Sequence, residues 1–443
     1  MSKAILVLGA GRSSALLIEY LSKVCNERQW KLAVGDYSLD AAQKMTVDLP
    51  SVSAILFDIN QKSLAAKIVS QYDIVVSLIP AHLHHLVAEL CVQHGKHLIT
   101  ASYVGAEMKA YDGVAKEKGL LFLNECGLDP GIDHMSAMQV INKIKAVGGK
   151  MVSFESFTGG LISPETDPKN PWRYKFTWNS RNVVMAGQST AKYLENKEFR
   201  YISYQQLFQR LTSVHVPGLG DYEGYVNRDS LKYISAYGLE SVDTMLRGTL
   251  RNKGFCSAWN VFVQLGCCDD TFEVDGLIDM THNQFINSFV PSGIGSVKDR
   301  IAKQLNISPS SKELSMLEWA GLFSDEPVGL TKGTPAQALE YILNKKWKLA
   351  PGDIDQIVMW HRFVFDQMGK RKEIQATLVA TGDDSIRTAM AKTVGLPLAI
   401  AAKLLAEDKI VARGVIIPTL PEIYEPILSE LATLGVELNE REV

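Results

Sequence analysis

The sequence has no excess of basic charge. Among its 443 residues, 46 Lys and Arg stand against 49 Asp and Glu, which gives a formal net charge of −3 at pH 7. It also has no run of Lys and Arg interleaved with aromatic residues. Proteins that bind nucleic acids concentrate positive charge on one surface, so we expect no nucleic acid among the partners.

Long apolar runs are missing as well. No stretch reaches the roughly 18 consecutive apolar residues that a membrane-spanning helix needs. The N-terminal segment enters a predicted strand without the charged region and cleavage site of a signal peptide. We therefore expect no membrane partner and a cytoplasmic location.

Cysteine is scarce, and its spacing suggests no pairing. The chain has no C-x-x-C motif, and its six cysteines are Cys25, Cys91, Cys126, Cys256, Cys267 and Cys268. This spacing predicts reduced core thiols, with neither a disulfide framework nor a zinc site. The G-x-S-x-G and Walker motifs are also absent, which argues against hydrolase and nucleoside-triphosphate chemistry.

Three histidines, His82, His84 and His85, follow Pro80 and could suggest a metal site. No acidic or cysteine partner is spaced to complete such a site. We interpret the three residues as a solvated helix face, and we predict no metal.

The N-terminal segment carries the pattern of a dinucleotide-binding fold. An apolar run ends in Gly9-Ala-Gly11, and the next apolar run ends in Asp36. Glycines permit the tight turn and the close approach of a pyrophosphate to a helix N-terminus. A carboxylate at Asp36 accepts hydrogen bonds from an adenosine ribose and repels a 2′-phosphate, so NAD is the expected cofactor. Ser14 replaces the third glycine, and a flavodoxin-like turn without ligand is the alternative.

The first third of the chain alternates short β-branched runs with amphipathic segments, which predicts a doubly wound parallel sheet. The predicted strands are Ala4–Leu8, Lys31–Gly35, Ala54–Asp58, Ile74–Leu78, His97–Thr100 and Leu120–Asn124. A hairpin of Ile354–Phe365 with Ile374–Thr381 indicates a mixed second domain. Residues 385–408 have helical apolar spacing and are expected to pack back on the first domain.

These patterns divide the chain into three predicted domains. Residues 1–128 form the dinucleotide-binding domain, on which residues 385–443 pack. Residues 129–296 and 348–384 form a mixed α/β substrate domain, and residues 297–347 form a small helical insert.

Polar residues follow the last two strands of the predicted parallel sheet. Ser102 and Tyr103 follow the fifth strand, and Asp129 precedes a proline after the sixth. The carboxyl ends of parallel strands form the ligand-binding edge, so these residues are candidates for substrate contact. An Asx turn or a helix cap is the alternative for Asp129, and either Asp129 or Asp133 could cap the helix that begins near His134. Functional roles for Asp133 and His134 are not favoured.

The second domain concentrates arginines among aromatic residues. The candidates are Arg181, Arg228, Arg247 and Arg251. Guanidinium groups bind carboxylates in a bidentate manner, which suggests a small-molecule substrate with several carboxylates. Structural ion pairs are the alternative.

Several strings in this order resemble saccharopine dehydrogenase of the L-glutamate-forming type, across nearly the whole chain. They are Ser77-Leu-Ile-Pro80, Thr100-Ala-Ser-Tyr-Val104, Gly127-Leu-Asp-Pro-Gly-Ile-Asp-His134, Gly159-Gly-Leu161, Tyr174-Lys-Phe-Thr-Trp178, Asn227-Arg-Asp-Ser230 and Arg247-Gly-Thr-Leu-Arg251. The resemblance implies a variant Rossmann domain, an α/β substrate domain that also mediates homodimerisation, and a small helical domain. It implies interconversion of saccharopine with L-glutamate and 2-aminoadipate 6-semialdehyde in lysine metabolism.

The resemblance also implies roles for particular residues. Substrate contacts would be Ser102, Tyr103, Asp129, Arg228, Thr249, Leu250 and Arg251. From the chemistry of amine oxidation we expect Asp129 and Tyr103 to be the proton-transfer groups, with Asp129 preferred as the base or amine anchor because a carboxylate stabilises the ammonium form. Cofactor contacts would be Gly9, Ala10, Gly11, Arg12, Ser13, Ser14, Asp36, Asp58, Ile59, Ser77, Leu78 and Ile79.

Two departures from the family pattern bear on these expectations. Fungal members have a basic residue in place of Asp36 and use NADP, so we expect NAD to be preferred here, with NADP as the alternative. The family often has cysteine where Thr158 stands, which puts a required thiol in doubt. The alternative functions are a carboxynorspermidine-type reductase of the same superfamily and a dinucleotide-binding sensor without turnover.

Overall fold

The computed structural model describes residues 2–186, 188 and 190–443. Its strands are β1 (Ala4–Leu8), β2 (Lys31–Asp36), β3 (Val52–Leu56), β4 (Ile74–Ser77), β5 (His97–Thr100), β6 (Leu121–Leu123), β7 (Lys150–Ile162), β8 (Ala191–Glu195), β9 (Glu198–Ile202), β10 (Thr212–Val216), β11 (Gly220–Val226), β12 (Thr244–Asn252), β13 (Asp355–Gln367), β14 (Lys370–Thr381), β15 (Gly414–Ile416) and β16 (Leu438–Glu442).

The helices alternate with the strands in the first part of the chain and cluster later. They are α1 (Ala15–Arg28), α2 (Leu39–Thr46), α3 (Lys62–Val69), α4 (His84–His94), α5 (Ala106–Lys109), α6 (Asp112–Glu117), α7 (Ile132–Ala146), α8 (Ser180–Val184), α9 (Tyr204–Leu207), α10 (Tyr233–Ala236), α11 (Phe255–Leu265), α12 (His282–Asn287), α13 (Val297–Leu305), α14 (Lys312–Trp319), α15 (Pro335–Trp347), α16 (Ala389–Ala406) and α17 (Pro421–Thr433).

The chain forms two compact units. Unit 1 comprises residues 1–150 and 378–440, and unit 2 comprises residues 151–377 and 441–443. Unit 1 is built on a seven-stranded sheet in the order β15-β6-β5-β4-β1-β2-β3, in which every neighbouring pair is parallel. The predicted doubly wound sheet is confirmed, although β3 lies two residues earlier than expected and β15 adds a seventh strand.

The strand order of unit 1 reverses between β1 and β4. β1 is apolar and wholly buried because helices cover both faces of the sheet. Such a reversal leaves a crevice beyond the carboxyl ends of the two strands, where ligands bind in folds of this kind. Unit 1 therefore has a ligand-binding edge that is fixed by its topology.

Helix α16 corrects one expectation drawn from the sequence. Its 18 residues have a mean hydropathy of 1.5, so by length and composition alone the helix could cross a membrane. The helix contains no unbroken apolar run of this length, because Lys392 and Lys403 interrupt the segment. Most of the helix, 83%, is buried, and it packs against α1. Buried core helices meet the same criterion, and α16 lies within unit 1.

Unit 2 is built on a mixed sheet. Seven strands run in the order β10-β11-β12-β7-β13-β14-β16, with β8 and β9 attached beside β12. β12 pairs in parallel with β7 and antiparallel with β11. The predicted hairpin is present as β13 and β14, which flank Met368-Gly369. A core of aromatic rings, including Trp172, Trp259 and Trp347, packs beside this sheet.

Two predicted boundaries differ from the two compact units. Residues 129–150 belong to unit 1 because α7 packs on α17, whereas the sequence placed them in the substrate domain. Helices α13 to α15 contribute Ile301, Leu317 and Leu339 to the same apolar core as Phe157 of β7. A separate helical domain at residues 297–347 stays a prediction.

The contact between α16 and α1 requires a residue without a side chain. A Cβ atom on Gly395 would lie 2.9 Å from the Ser13 carbonyl oxygen and 3.1 Å from the Leu17 Cβ. We predict that Gly395→Ala lowers the free energy of unfolding by about 1–3 kcal/mol, because the helices must separate to accept the methyl group. Denaturant unfolding measures the change.

The matched control is Gly113→Ala in α6, where a Cβ would meet no atom within 4 Å. This change should be neutral or stabilise by up to about 1 kcal/mol. Equal effects of the two substitutions would contradict the packing argument.

Candidate functional site

The glycine loop of unit 1 lies directly against the strand on the other side of the reversal. Gly9 has a φ of +105°, and a Cβ there would lie 3.0 Å from the carbonyl carbon and oxygen of Leu78. Gly11 is exposed, and a Cβ there would meet nothing within 4 Å. The loop therefore needs glycine at its first position and offers open space at its third, as a bound pyrophosphate would require.

Ser14 occupies the place of the third glycine and closes the turn. Its buried hydroxyl donates a hydrogen bond to the Gly11 carbonyl at 2.7 Å. Helix α1 begins at the next residue, so its N-terminus lies beside the loop. The free N–H groups and the dipole of a helix N-terminus favour negative charge. Arg12 is exposed and Ser13 half-buried at the same loop.

Asp36 ends β2 and contacts the glycine loop. Its Oδ2 accepts the Ala10 N–H at 2.8 Å, and its Oδ1 accepts the Ser38 N–H at 2.8 Å. The carboxylate is therefore held in place by backbone donors and carries its negative charge to the loop. This position fits the predicted ribose contact.

The other predicted cofactor residues lie at or just beyond the carboxyl ends of β3 and β4. Leu78 follows β4 and donates its N–H to the Leu8 carbonyl at 2.7 Å, beside Gly9. Asp58 lies beyond the end of β3, where its carboxylate accepts hydrogen bonds from Asn60 and Gln61. Ile59 is buried and Ile79 half-buried. Asp58 thus stabilises its own turn, and any ligand contact would share that carboxylate.

The structure brings together two predicted substrate residues, Tyr103 and Asp129. The Tyr103 hydroxyl lies 3.5 Å from Asp129 Oδ1 in donating orientation, and both side chains are half-buried. A phenol beside a carboxylate can pass or share a proton. These residues are therefore a candidate acid and base pair within unit 1.

A buried polar cluster, which the sequence did not indicate, lies behind this pair. Glu125 accepts the Val104 N–H at 3.0 Å through Oε1, and its Oε2 lies 2.9 Å from Nε2 of His134. The other nitrogen of His134 lies 3.7 Å from Asp133, which also accepts the Gly131 N–H at 2.7 Å. Asp133 thus holds the backbone of Gly131, the residue before α7, and the cluster links the Tyr103 segment to the first turn of that helix.

His84 corrects the interpretation of the three histidines as a solvated face. Its side chain is buried, and both ring nitrogens face hydroxyl groups. Nδ1 lies 3.0 Å from Ser77 Oγ, and Nε2 lies 2.9 Å from Ser102 Oγ. The error arose because α4 begins at His84 itself, where the chain turns back over the strand ends. His82 is exposed and His85 half-buried.

In unit 2, Arg251 is a buried cation surrounded by aromatic rings. It is 5% exposed, and its guanidinium carbon lies 5.1 Å from the Tyr174 ring centre and 5.2 Å from that of Phe255. Nη1 donates to the Leu250 carbonyl at 2.9 Å, whereas the buried Nε has no hydrogen-bond partner within the described chain. Burial of such a charge is costly without an anion, so Arg251 is a candidate anion-binding group.

The other three arginines have different surroundings. Arg247 is buried with its guanidinium 4.2 Å from the Tyr233 ring, and Arg228 is exposed with a left-handed backbone at φ +54°. Arg181 forms an ion pair with Asp270. The structural alternative thus holds for Arg181, whose charge is already balanced.

Thr249 lies in β12, which pairs with β11 on one side and with β7 on the other. Its register partner on β7 is Thr158, where the family often has cysteine. The Thr158 hydroxyl is buried and has no hydrogen-bond partner in the part of the chain that the structure describes. Leu250 is wholly buried and packs against Gly159, so it is fixed by close contact with that backbone.

The cysteines lie in the core. All six are buried and free, and burial raises the pKa of the Cys25 thiol to about 12. Within residues 2–186, 188 and 190–443, no group of three His, Cys, Asp or Glu side chains could hold a metal ion.

The parallel sheet, the glycine loop and the carboxylate at Asp36 define a dinucleotide-binding protein of the oxidoreductase class. Two family models match the chain: the saccharopine dehydrogenase NADP binding domain at residues 5–123 and the saccharopine dehydrogenase C-terminal domain at residues 127–436. The chain belongs to the saccharopine dehydrogenase family.

Curated relatives agree with this assignment. The chain is 32% identical to a Schizosaccharomyces pombe saccharopine dehydrogenase [NADP(+), L-glutamate-forming], over 99% of this chain and 98% of the relative. It is 36% identical to the mitochondrial alpha-aminoadipic semialdehyde synthase of Bos taurus, over 98% of this chain and 47% of that longer protein. Apo saccharopine dehydrogenase (L-Glu forming) from Saccharomyces cerevisiae superposes with a TM-score of 0.88 at 29% identity, covering 100% of both chains. The chain is thus an oxidoreductase that uses a nicotinamide dinucleotide and acts on a small molecule.

Proposed function

We propose that this chain interconverts saccharopine with L-glutamate and L-2-aminoadipate 6-semialdehyde in lysine metabolism. The observation that carries the proposal is the full-length similarity to relatives with this activity in their names, from Schizosaccharomyces pombe and Saccharomyces cerevisiae. A carboxynorspermidine-type reductase is not favoured, because the relatives found are saccharopine dehydrogenases and alpha-aminoadipic semialdehyde synthases. A sensor without turnover would have no need of the Tyr103 and Asp129 pair.

The bound dinucleotide supplies the hydride acceptor for the oxidation of the secondary amine. The glycine loop from Gly9 to Ser14 and the N-terminus of α1 would hold its pyrophosphate, and Asp36 would accept hydrogen bonds from its ribose. Asp58, Ile59, Ser77, Leu78 and Ile79 are the remaining proposed contacts. Two backbone donors hold the Asp36 carboxylate beside the loop. Its negative charge would repel a 2′-phosphate at that position, and we therefore propose that NAD is preferred over NADP.

Substitution of Asp36 tests this preference. We predict that Asp36→Asn raises kcat/KM for NADP about tenfold or more relative to NAD, because one charge repulsion of a few kcal/mol is removed. Initial rates of saccharopine oxidation with each dinucleotide measure the ratio. Asp40→Asn, in exposed α2 and paired with Lys44, is the matched control and should leave the ratio unchanged.

A wild-type enzyme that turns over only with NADP would contradict the role given to Asp36. It would leave the proposed reaction intact.

The chain's own groups would move the protons of the reaction. Asp129 would accept the proton of the substrate ammonium, so that the amine can release hydride, and Tyr103 beside it would donate to or accept from the same carboxylate. Loss of hydride from the neutral amine would leave a protonated imine, to which water would add with release of one proton to solvent. In the collapse of the resulting carbinolamine, the protonated Asp129 would return its proton to the amine nitrogen, and the hydroxyl proton would then pass through the freed carboxylate to the leaving amine as the C–N bond breaks.

The predicted effect of Asp129→Asn is a loss of kcat by about 100-fold or more, because the amide cannot accept the proton. Tyr103→Phe should lower kcat less, since the carboxylate remains. Tyr111→Phe in unit 1 is the control for loss of a phenol. Unchanged kcat in a folded Asp129→Asn protein would remove this residue from the mechanism.

Arg251 would bind one carboxylate of the substrate. Its buried guanidinium lies among aromatic rings and donates to the Leu250 carbonyl through Nη1, whereas its Nε has no hydrogen-bond partner among the described residues. An anion would supply the missing partner. Saccharopine carries three carboxylates, and we propose Arg228, Thr249, Leu250 and Ser102 as further contacts. Such positioning can contribute several kcal/mol to catalysis.

For Arg251→Lys we expect KM for saccharopine to rise about 10- to 100-fold, because a lysine lacks the planar fork. KM for the dinucleotide should stay the same. Arg362→Lys is the matched control in unit 2, since Arg362 is already paired with Glu155 at 2.8 Å and Glu373 at 2.9 Å. Equal changes in the two variants would mean that Arg251 is structural.

Homodimerisation through unit 2 is also part of the proposal. Edge strand β9 pairs with β8 alone among the described strands, and it exposes Phe199 and Tyr201. Exposed aromatic residues on an unpaired strand edge favour association with a second chain.

A further inference from the structure

His84 connects the ends of two neighbouring strands in unit 1. Ser77 ends β4, Thr100 ends β5, and the two residues are register partners in the parallel sheet. The imidazole lies 3.0 Å from Ser77 Oγ through Nδ1, and 2.9 Å from Ser102 Oγ and 3.2 Å from Thr100 Oγ1 through Nε2. Thr100 Oγ1 also accepts the Ser102 N–H at 3.2 Å. Each ring nitrogen is thus engaged with at least one hydroxyl.

The imidazole carries a single proton at neutral pH. Burial, helped by the charge of His82, lowers the pKa of His84 to about 4. All hydrogen-bond partners of the ring are neutral hydroxyls, which do not stabilise an imidazolium as a carboxylate would. A neutral imidazole has one N–H donor and one acceptor nitrogen.

This single proton links the directions of the hydrogen bonds on the two sides of the ring. With the proton on Nδ1, the ring donates to Ser77, and Ser102 can give its own hydroxyl proton to Nε2. With the proton on Nε2, the ring donates to Ser102, whose hydroxyl proton is then available to a ligand. Ser77 must in that case donate to Nδ1.

We propose that His84 is a positioning residue that fixes the Ser102 hydroxyl and determines whether it donates or accepts. Binding of a substrate carboxylate at Ser102 selects the tautomer with the proton on Nε2, because an anion accepts hydrogen bonds and donates none. The inference rests on the proposed function only in taking Ser102 as a contact of a carboxylate-bearing substrate.

A double-mutant cycle tests whether His84 acts through Ser102. Ser102→Ala and His84→Phe should each lower kcat/KM for saccharopine about 10- to 100-fold, as expected for loss of a hydrogen bond to a charged group. The kcat/KM of the double variant should stay within about twofold of that of the less active single variant. Losses that multiply, or a normal kcat/KM for His84→Phe, would overturn the proposal.

His97→Phe is the control for loss of a half-buried histidine at the same sheet. Burial also lowers the pKa of His97 to about 4, and its Nδ1 accepts the Leu121 N–H at 2.9 Å at the opposite end of β5. This variant should lose stability but keep kcat/KM. His84→Gln, whose amide can still donate to Ser102, should recover part of the loss seen with phenylalanine.

Nitrogen-15 NMR of histidine-labelled wild-type protein measures the tautomer directly. The measurement itself does not require that a variant of His84 folds correctly. The His84 signals, identified by their loss in His84→Gln, should show one protonated ring nitrogen at pH 7. Saccharopine should shift the proton towards Nε2, and Ser102→Ala should move these signals but not those of His97. Two protonated nitrogens, or signals indifferent to Ser102→Ala, would overturn the proposal. Absence of saccharopine oxidation by the wild type would instead refute the proposed function.

Discussion

The close approach of Gly9 to the backbone of Leu78 is the constraint on which unit 1 depends. It occurs where the strand order reverses between β1 and β4, and the Leu78 N–H reinforces it by bonding to Leu8. A Cβ would not fit there, so the chain can turn this close to Leu78 only with glycine at position 9. The turn leaves the end of the strand open. The loop, the N-terminus of α1 and Asp36 then face one edge of the sheet, as a dinucleotide requires.

Buried polar clusters hold the residues that follow the strands. An unsatisfied polar group in a protein interior costs about 1–3 kcal/mol, so the hydroxyls at Ser77 and Thr100 need a partner, and His84 supplies it. Glu125 does the same for the Val104 N–H. These bonds restrict Ser102 and Tyr103 to a small range of positions, which is what catalysis by proximity needs. In the proposed mechanism, stability and the positioning of the reacting groups thus depend on the same interactions.

The parallel sheet could be predicted because its strands are buried on both faces and appear as continuous β-branched runs. The polar residues that follow those strands could also be placed at one edge of the sheet from the sequence, since parallel strands have their carboxyl ends at the same edge. His84 and Glu125 could not be recognised in this way. Their partners are distant in sequence, as with His84 and Ser102, and only the packing of α4 over the strand ends brings them together. Helix α7 was assigned to the wrong unit because its contact with α17 spans almost 300 residues of sequence, as in the bond of Asn142 to Tyr424.

The two units surround their charged side chains with different kinds of groups. Unit 1 surrounds its carboxylates with donors, as at Asp36 with two backbone N–H groups, so each charge is satisfied before a ligand arrives. Unit 2 encloses the guanidinium of Arg251 with the rings of Tyr174 and Phe255, and such rings stabilise a desolvated cation by about 2 kcal/mol or more. Full ionic compensation is left for an anion. In the proposed function, a buried cation with an unpartnered nitrogen would favour an anionic ligand over a neutral one, because only the anion offsets the cost of removing the charge from water.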